Sequence, residues 1–224
     1  MTTERDSSQL ISDQLVRLIQ VFFAVLLVQG IVRNDELVTS PLGAGHQVAF
    51  VGFIGFYVAT MRSWIDWHIT MNAYPYKLNR LSGHRTTELA RVWTDISFVV
   101  MYAYLIFTLE PAIRSPNLDL SRHFIGYPIV FALYWISGAL RRRTYGVQAG
   151  QLRAIALFGV PYLLLVVVYW LVASVWDHKL LPGERGWLNA AMFVLFFVLT
   201  VTYRSYRETL RNRDIRAQRK QDSA

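Results

Sequence analysis

The chain contains no cysteine and few charged residues. Asp, Glu, Lys and Arg together make up only 17% of its 224 residues, whereas hydrophobic residues make up 54%. The absence of cysteine excludes disulfides, thiolate zinc sites and cysteine nucleophiles. The shortage of charge excludes an ordinary soluble domain, because a core of this size does not bury that much apolar surface. The composition therefore predicts an integral membrane protein that lies in a lipid bilayer.

Motifs of soluble enzymes are also absent. The sequence has no phosphate-binding glycine loop, no His-Glu-x-x-His pair and no nucleophile elbow. A membrane haem protein needs histidines at matching depth on neighbouring helices. The histidines of this chain lie mostly in connections or at the ends of apolar runs, at His46, His68, His84, His123 and His178. We expect no enzyme activity, no metal site and no cofactor.

Six apolar runs are each long enough to cross a bilayer. Short polar connections separate them, and these contain proline, glycine or asparagine. We predict an all-α polytopic membrane protein with six transmembrane helices over residues 1–207, followed by a basic cytoplasmic tail over residues 208–224. The predicted spans are 15–32, 48–71, 89–109, 124–140, 152–176 and 187–203.

The distribution of basic residues predicts the orientation of the chain. If the N-terminus is inside, fifteen Lys and Arg residues fall in inside segments and five in outside segments. This excess follows the positive-inside rule and predicts that both termini are cytoplasmic. The net charge of +8 thus reflects membrane orientation, and we expect no nucleic-acid binding. Short loops favour a bacterial plasma (inner) membrane.

Polar residues interrupt three of the predicted spans at a common depth. A charged side chain in the hydrocarbon costs at least about 2.5 kcal/mol, so such residues persist where partners or water compensate them. The coincidence of depth predicts that the side chains meet in the inner half of the membrane. The predicted polar network consists of Arg17, Arg62, Asp66, His68, Arg91 and Asp95, with Gln20 of the first span at the same level.

Helical spacing suggests how the network is arranged. Arg62 and Asp66 are four residues apart, as are Arg91 and Asp95, so each helix can carry its own ion pair. His68 lies about 200° around the helix from Asp66, which argues against a metal site built from these two residues. Two interpretations remain open, because the network can brace the helices or form part of an ion or proton path. The third span also carries a polar stripe made of Glu88, Arg91, Asp95 and Tyr102.

The first three spans match a known arrangement in several residues. Arg17 lies near the start of the first span and is followed by the apolar run 22–28, and Trp64, Trp67 and His68 lie near the end of the second span. In these features the chain resembles the six-helix endolysosomal and bacterial potassium channels, whose first helix carries Arg-x-x-x-Phe-Ser-Asp. Asp95 corresponds to a third-helix asparagine of that family. The sequence departs from the family at 21–23, where Val-Phe-Phe replaces Phe-Ser-Asp.

The resemblance implies a homo-oligomeric channel for monovalent ions such as potassium. Its pore would be lined by the first helix, and Leu27 or Val28 would form a hydrophobic constriction that gates by dewetting. The residues that this arrangement turns toward the pore axis are Gln20, Ala24, Leu27, Val28 and Ile31.

Two other functions fit the same sequence. One is a proton-coupled transporter, in which Asp66 or Asp95 is the titrating carboxylate. The other is a membrane effector or scaffold that docks a cytoplasmic partner through its basic tail, although such a tail is also attracted to anionic lipid. Of the three functions, the ion channel is the leading hypothesis.

Overall fold

The computed structural model describes residues 2–41, 47–78, 85–115, 119–146, 149–176 and 184–222, and no strand occurs in these ranges. This confirms the all-α prediction. The helices, in chain order, are α1 (Thr2–Arg33), α2 (Asp35–Thr39), α3 (Gln47–Ala73), α4 (Arg85–Arg114), α5 (Ser121–Phe124), α6 (Gly126–Tyr145), α7 (Ala149–Trp176) and α8 (Glu184–Asp222).

Six stretches of helix are long and apolar enough to cross a membrane, which agrees with the predicted number of spans. The short helices α2 and α5 lie in connections. The α5 helix leads directly into α6, so the two together form one of the six stretches. The six stretches are Leu10–Arg33, Gln47–Ala73, Arg85–Glu110, Ser121–Tyr145, Leu152–Ser174 and Arg185–Leu210.

All six long helices extend beyond the spans predicted for them at one end or both, and α8 and α6 do so through basic residues. The α8 helix continues far past residue 203, because the Arg, Glu and Gln residues that follow are good helix formers. The α6 helix runs through the three arginines at 141–143 and ends at Gly146, which adopts the left-handed conformation with φ of 67°. The Gly146 N–H donates to the Arg142 carbonyl at 2.9 Å and closes the helix.

The centre of the molecule consists of α3, α4, α6 and α8. The α1 helix packs against α3 and α4 on one side, and α7 packs against α6 and α8 on the other. In the most apolar 18 residues of each stretch, half are buried in α4 and in the α5–α6 stretch, but only 22% in α1 and 17% in α7. The apolar outer surfaces of α1 and α7 are suited to contact with lipid or with another membrane helix.

A glycine allows α3 and α8 to approach closely. A Cβ atom added at Gly52 would lie 2.6 Å from the ring of Phe193, so this position has no room for a side chain. At Gly55, one turn further along, an added Cβ would lie 3.8 Å from Phe197 in ordinary contact. The Phe193 ring also packs on Phe124 with a centroid separation of 5.1 Å, which joins α3, α5 and α8 in one aromatic core.

Candidate functional site

A polar cavity lies between α3, α4, α6 and α8, near the end of the bundle at which α3 finishes and α4 begins. It has a volume of about 420 Å³, part of which is open to solvent. The charged residues that line it are Asp66, Arg91, Asp95, Arg141 and Arg207, and the lining hydroxyl groups belong to Ser63, Thr70, Tyr102, Tyr134 and Ser137.

Asp66 forms ion pairs with two arginines of α8. Arg204 Nη1 and Arg207 Nη1 both bind Asp66 Oδ2, the second at 3.2 Å. The expected pair between Asp66 and Arg62 is replaced by these contacts, and Arg62 lies on the exposed surface of α3. The α8 arginines prevail because they approach from a packed neighbouring helix, where charges interact more strongly than on an exposed helix face.

Arg204 is the centre of a group of buried hydroxyls. Its Nη2 atom donates to Ser63 Oγ at 2.6 Å and to the Tyr134 hydroxyl at 2.7 Å. Tyr134 also donates to Ser63, and Ser63 shares a further hydrogen bond with the Tyr102 hydroxyl. Because Asp66 binds the same guanidinium group, these hydrogen bonds connect α3, α4, α6 and α8 in the interior of the bundle.

Asp95 accepts a hydrogen bond from a tyrosine that lies outside the membrane spans. The Tyr76 hydroxyl donates to Asp95 Oδ2 at 2.7 Å, and both residues are buried. Burial, followed by the nearby negative charge of Asp95, raises the pKa of Tyr76 well above its usual value of 10.0. Tyr76 therefore stays protonated and remains a donor to Asp95 across the ordinary pH range.

Arg91 pairs with Glu88 rather than with the expected Asp95. Arg91 Nη1 lies 3.3 Å from Glu88 Oε2, and the two side chains are 1% and 0% exposed. Its Nη2 atom donates to the Tyr74 carbonyl at 2.5 Å and to Met71 Sδ at 3.2 Å. The last turn of α3 and the connection after it thus supply partners that the spacing along α4 does not reveal. All four members of the predicted polar stripe on α4 are buried.

Arg141 lines the cavity although it belongs to a run of three arginines near the end of α6. Its residue exposure is 7%, whereas Arg142 and Arg143 are exposed. Its Nε atom donates to the Ser137 carbonyl at 3.2 Å. Arg141 follows Tyr134 by two helical turns, and Ser137 lies between them on the same face. The continuation of α6 through the arginines is what turns this one inward.

The other predicted network residues lie outside the cavity. Arg17 and His68 are exposed, as is Arg62, so the structure brings together Asp66, Arg91 and Asp95 only. A hydrogen bond of 2.8 Å joins Gln20 Nε2 to His68 Nδ1 and links α1 to α3. Of the residues predicted to line a pore, Gln20 and Leu27 are partly buried, whereas the exposed ones are Ala24, Val28 and Ile31.

A second cavity of about 320 Å³ adjoins the first and is lined mainly by aromatic side chains. Tyr102 and Tyr134 line both cavities, and Arg204 lines the second. Tyr127 lies on its far side, with its hydroxyl 3.4 Å from His123 Nε2. The other ring nitrogen of His123 lies 3.0 Å from Thr108 Oγ1. Tyr127, His123 and Thr108 thus form a second polar group, nearer the opposite end of the bundle.

The sequence signals for the missed residues were present but ambiguous. Arg204 and Arg207 directly follow the last apolar run and lie three residues apart, so they share a helix face. Arg141 continues the face of Tyr134 and Ser137. Each of these arginines also fits the positive-inside rule, and that explanation accounted for them without any partner inside the bundle.

The site combines carboxylates, guanidinium groups and hydroxyls in an interior cavity. Such a combination can hold an ion or transfer a proton, because donors and acceptors lie within hydrogen-bonding distance of one another. Among the residues that the structure describes, no group of three or more His, Asp or Glu side chains is arranged to hold a metal ion. No family model, curated protein or solved structure matches this chain.

Proposed function

We propose that this protein is a proton-coupled membrane transporter whose pathway runs through each subunit, between α3, α4, α6 and α8. The observation that carries the proposal is the cavity in which Asp66 and Asp95 lie among arginines, inside a bundle of helices long enough to cross a membrane. Ionisable residues at membrane depth commonly mark an ion or proton pathway. A cavity inside one subunit supplies such a pathway without a central axis between subunits.

We assign the proton-carrying role to Asp66, the more accessible of the two carboxylates in the cavity. Its side chain is 24% exposed, whereas Asp95 is 2% exposed. In its ionised form Asp66 attracts Arg204 and Arg207, and so holds α8 against α3. Protonation removes this attraction and favours a second arrangement of α8. A proton on Asp66 is thereby coupled to the helix movement that alternating access requires.

The buried hydroxyls support a proton path beyond Asp66. Ser63, Tyr102 and Tyr134 are joined by hydrogen bonds at the boundary between the two cavities. Tyr127 and His123 continue the series of polar groups on the far side of the second cavity. Hydroxyl and imidazole groups both donate and accept, which is the property that stepwise proton transfer needs.

The test is proton uptake into proteoliposomes that contain a pH-sensitive dye. Under an imposed pH gradient and membrane potential, the wild-type protein should acidify the lumen, and Asp66→Asn should abolish that flux. Glu208→Gln is the matched control, because it removes one carboxylate from the exposed surface of α8. Equal flux in wild-type protein and Asp66→Asn would remove Asp66 from the pathway, and no flux from folded wild-type protein would refute the proposal.

A homo-oligomeric pore lined by α1 is a second candidate function. Its support is the apolar outer surface of α1, on which Val28 is 58% exposed and Ile31 is 46% exposed. If copies of the protein assemble through α1, these side chains would form the hydrophobic constriction of a channel for monovalent ions, potassium among them. The proposal also includes cytoplasmic termini and a location in a bacterial plasma membrane.

Current recordings distinguish the pore from the transporter. A pore gives single-channel currents, and Val28→Asn should raise its leak current because a polar side chain keeps the constriction wet. Val160→Asn on α7 is the matched control, since Val160 is 57% exposed on another peripheral helix. A saturable flux that follows the pH gradient, with no difference between the two variants, would favour the transporter.

A further inference from the structure

Arg141 is a buried arginine whose hydrogen-bonding capacity is only partly used. Its Nε atom donates to the Ser137 carbonyl, and in the described part of the chain its two terminal nitrogens have no hydrogen-bond or ion-pair partner. The side chain lines the polar cavity while the residue is 7% exposed. The terminal nitrogens of Arg141 reach the open part of the cavity, so a partner for this largely buried cation can come from outside the chain.

The two acidic residues of the cavity are engaged elsewhere. Asp66 binds Arg204 and Arg207, and Asp95 accepts a hydrogen bond from Tyr76. Asp95 attracts Arg141 electrostatically but forms no described ion pair with it within 4.0 Å.

The charges around the cavity leave an excess of positive charge. Arg91 and Arg207 both contribute positive potential at Arg141. Four arginines, at positions 91, 141, 204 and 207, stand against three carboxylates, Asp66, Glu88 and Asp95. One small anion would balance the group.

We infer that the polar cavity binds a small oxyanion, of the carboxylate or phosphate class, through the guanidinium group of Arg141. A planar guanidinium presents paired N–H groups that match two oxygens of a carboxylate or phosphate. The hydroxyls of Thr70 and Ser137 line the same cavity and supply further donors. The partly exposed Asp66 and Arg207 mark the side from which the cavity is reached. This inference rests on the proposed transporter and names its substrate class.

Binding can be measured on the purified full-length protein in a non-ionic detergent, without any gradient. Sodium acetate and sodium phosphate are the probes, and sodium chloride at equal ionic strength is the reference. The readouts are tryptophan fluorescence, to which Trp67 in the cavity wall contributes, and the thermal unfolding midpoint. We expect a saturable response to at least one oxyanion and not to chloride.

Neighbouring arginines of α6 provide matched variants. Arg141→Gln should weaken oxyanion binding by at least about tenfold, because it removes a charge-assisted paired contact. Arg142→Gln removes the same charge from the exposed surface and should bind as the wild-type protein does. Arg141→Lys keeps the charge but loses the paired geometry, so its affinity for the oxyanion should lie between those of Arg141→Gln and Arg142→Gln.

A second measurement needs no variant. Phenylglyoxal modifies arginines, and peptide mapping of the wild-type protein reports which ones react. Acetate or phosphate should protect Arg141 from modification and leave Arg142 unprotected. Protection by short-chain phosphatidylglycerol, with none by free acetate or phosphate, would identify a lipid headgroup as the source of the oxyanion.

Several outcomes would overturn the inference. These are the absence of any saturable response of the wild-type protein to acetate, phosphate and phosphatidylglycerol alike, an equal response in Arg141→Gln, or an equal response to chloride. The result is independent of the proposed proton flux. Oxyanion binding without proton uptake would support the oxyanion site and refute proton-coupled transport. Proton uptake without oxyanion binding would support proton transport and refute the oxyanion site.

Discussion

At the scale of single residues, two interior arginines, Arg91 and Arg204, each bind several partners. Arg204 binds Asp66, Ser63 and Tyr134, and its guanidinium group also lies 5.1 Å from the centre of the Tyr134 ring. A buried charge is tolerated when its donors are used in this way. Removal of such a residue leaves several polar groups without their partner at once, which costs more than any one of the contacts.

Arg204→Ala should therefore lower the free energy of unfolding by about 2–4 kcal/mol, because Asp66 and two hydroxyls lose a partner while Arg207 remains. Arg62→Ala, on the exposed surface of α3, should change it by less than about 0.5 kcal/mol. Unfolding in mixed micelles, followed by tryptophan fluorescence, measures both. Similar losses for the two variants would contradict the central role of Arg204.

Tyr76 makes stability depend on alkaline pH. Because its pKa in the folded protein lies above the unfolded value of 10.0, the folded state keeps a proton that the unfolded state releases. Stability from Tyr76 is therefore complete below pH 10 and is lost as the pH rises above it. Tyr76→Phe should lower stability by about 1–3 kcal/mol at pH 8, because Asp95 loses its donor.

Between pH 8 and pH 10.5, the Tyr76→Phe variant should lose less stability than the wild-type protein does. Tyr206→Phe is the control, since Tyr206 is 42% exposed on α8, and its loss over that interval should match the wild type. Thermal unfolding midpoints at the two pH values measure the difference. A Tyr76→Phe protein with the wild-type loss would show that this hydroxyl does not titrate on unfolding.

At the scale of helices, the contact between α3 and α8 aligns the polar groups. Gly52 allows the Phe193 ring to lie against the α3 backbone, and this close packing positions Asp66 and Arg204 on facing surfaces further along. The α8 helix thus has two functions along its length. Its first half completes the aromatic core, and its second half brings two arginines to a carboxylate of another helix.

Gly52→Ala should destabilise the protein by about 1–3 kcal/mol, because the added methyl group would overlap the Phe193 ring in a packed core. Gly55→Ala adds the same methyl group where ordinary contact distance is available, so its effect should be much smaller or even stabilising. Thermal unfolding midpoints of the two variants give the comparison. Equal effects would mean that the α3–α8 contact adjusts without cost.

At the scale of the whole molecule, four central helices enclose the charged site and two peripheral helices shield them from the surroundings. The low burial of α1 and α7 leaves apolar surfaces that lipid or a second copy can cover. The excess of Lys and Arg residues at the end of the bundle containing the cavity predicts that this end faces the cytoplasm, as the positive-inside rule requires.

The absence of cysteine makes the orientation simple to test. Asp119→Cys and Thr209→Cys introduce single thiols at exposed positions near opposite ends of the bundle. A membrane-impermeant maleimide should label Asp119→Cys in intact cells and Thr209→Cys only after permeabilisation. The reverse pattern would invert the proposed orientation.

The architecture was predictable because length and hydropathy are properties of each segment by itself. Six apolar runs require six helices in a bilayer, since a helix satisfies its own backbone hydrogen bonds wherever it lies. The polar face of α4 was predictable for the same reason, because residues 88, 91, 95 and 102 follow the helical period. Local spacing could not give the partners of these residues.

Only the tertiary structure decided which charges meet. Asp66 pairs with Arg204, 138 positions later in the chain, rather than with Arg62 one turn away. The inward position of Arg141 likewise depends on how far α6 continues and on which helices surround it. The sequence by itself determined the six long apolar helices, since these follow from local composition. The pairing of the charges follows from helix packing, which brings together residues that no local pattern connects.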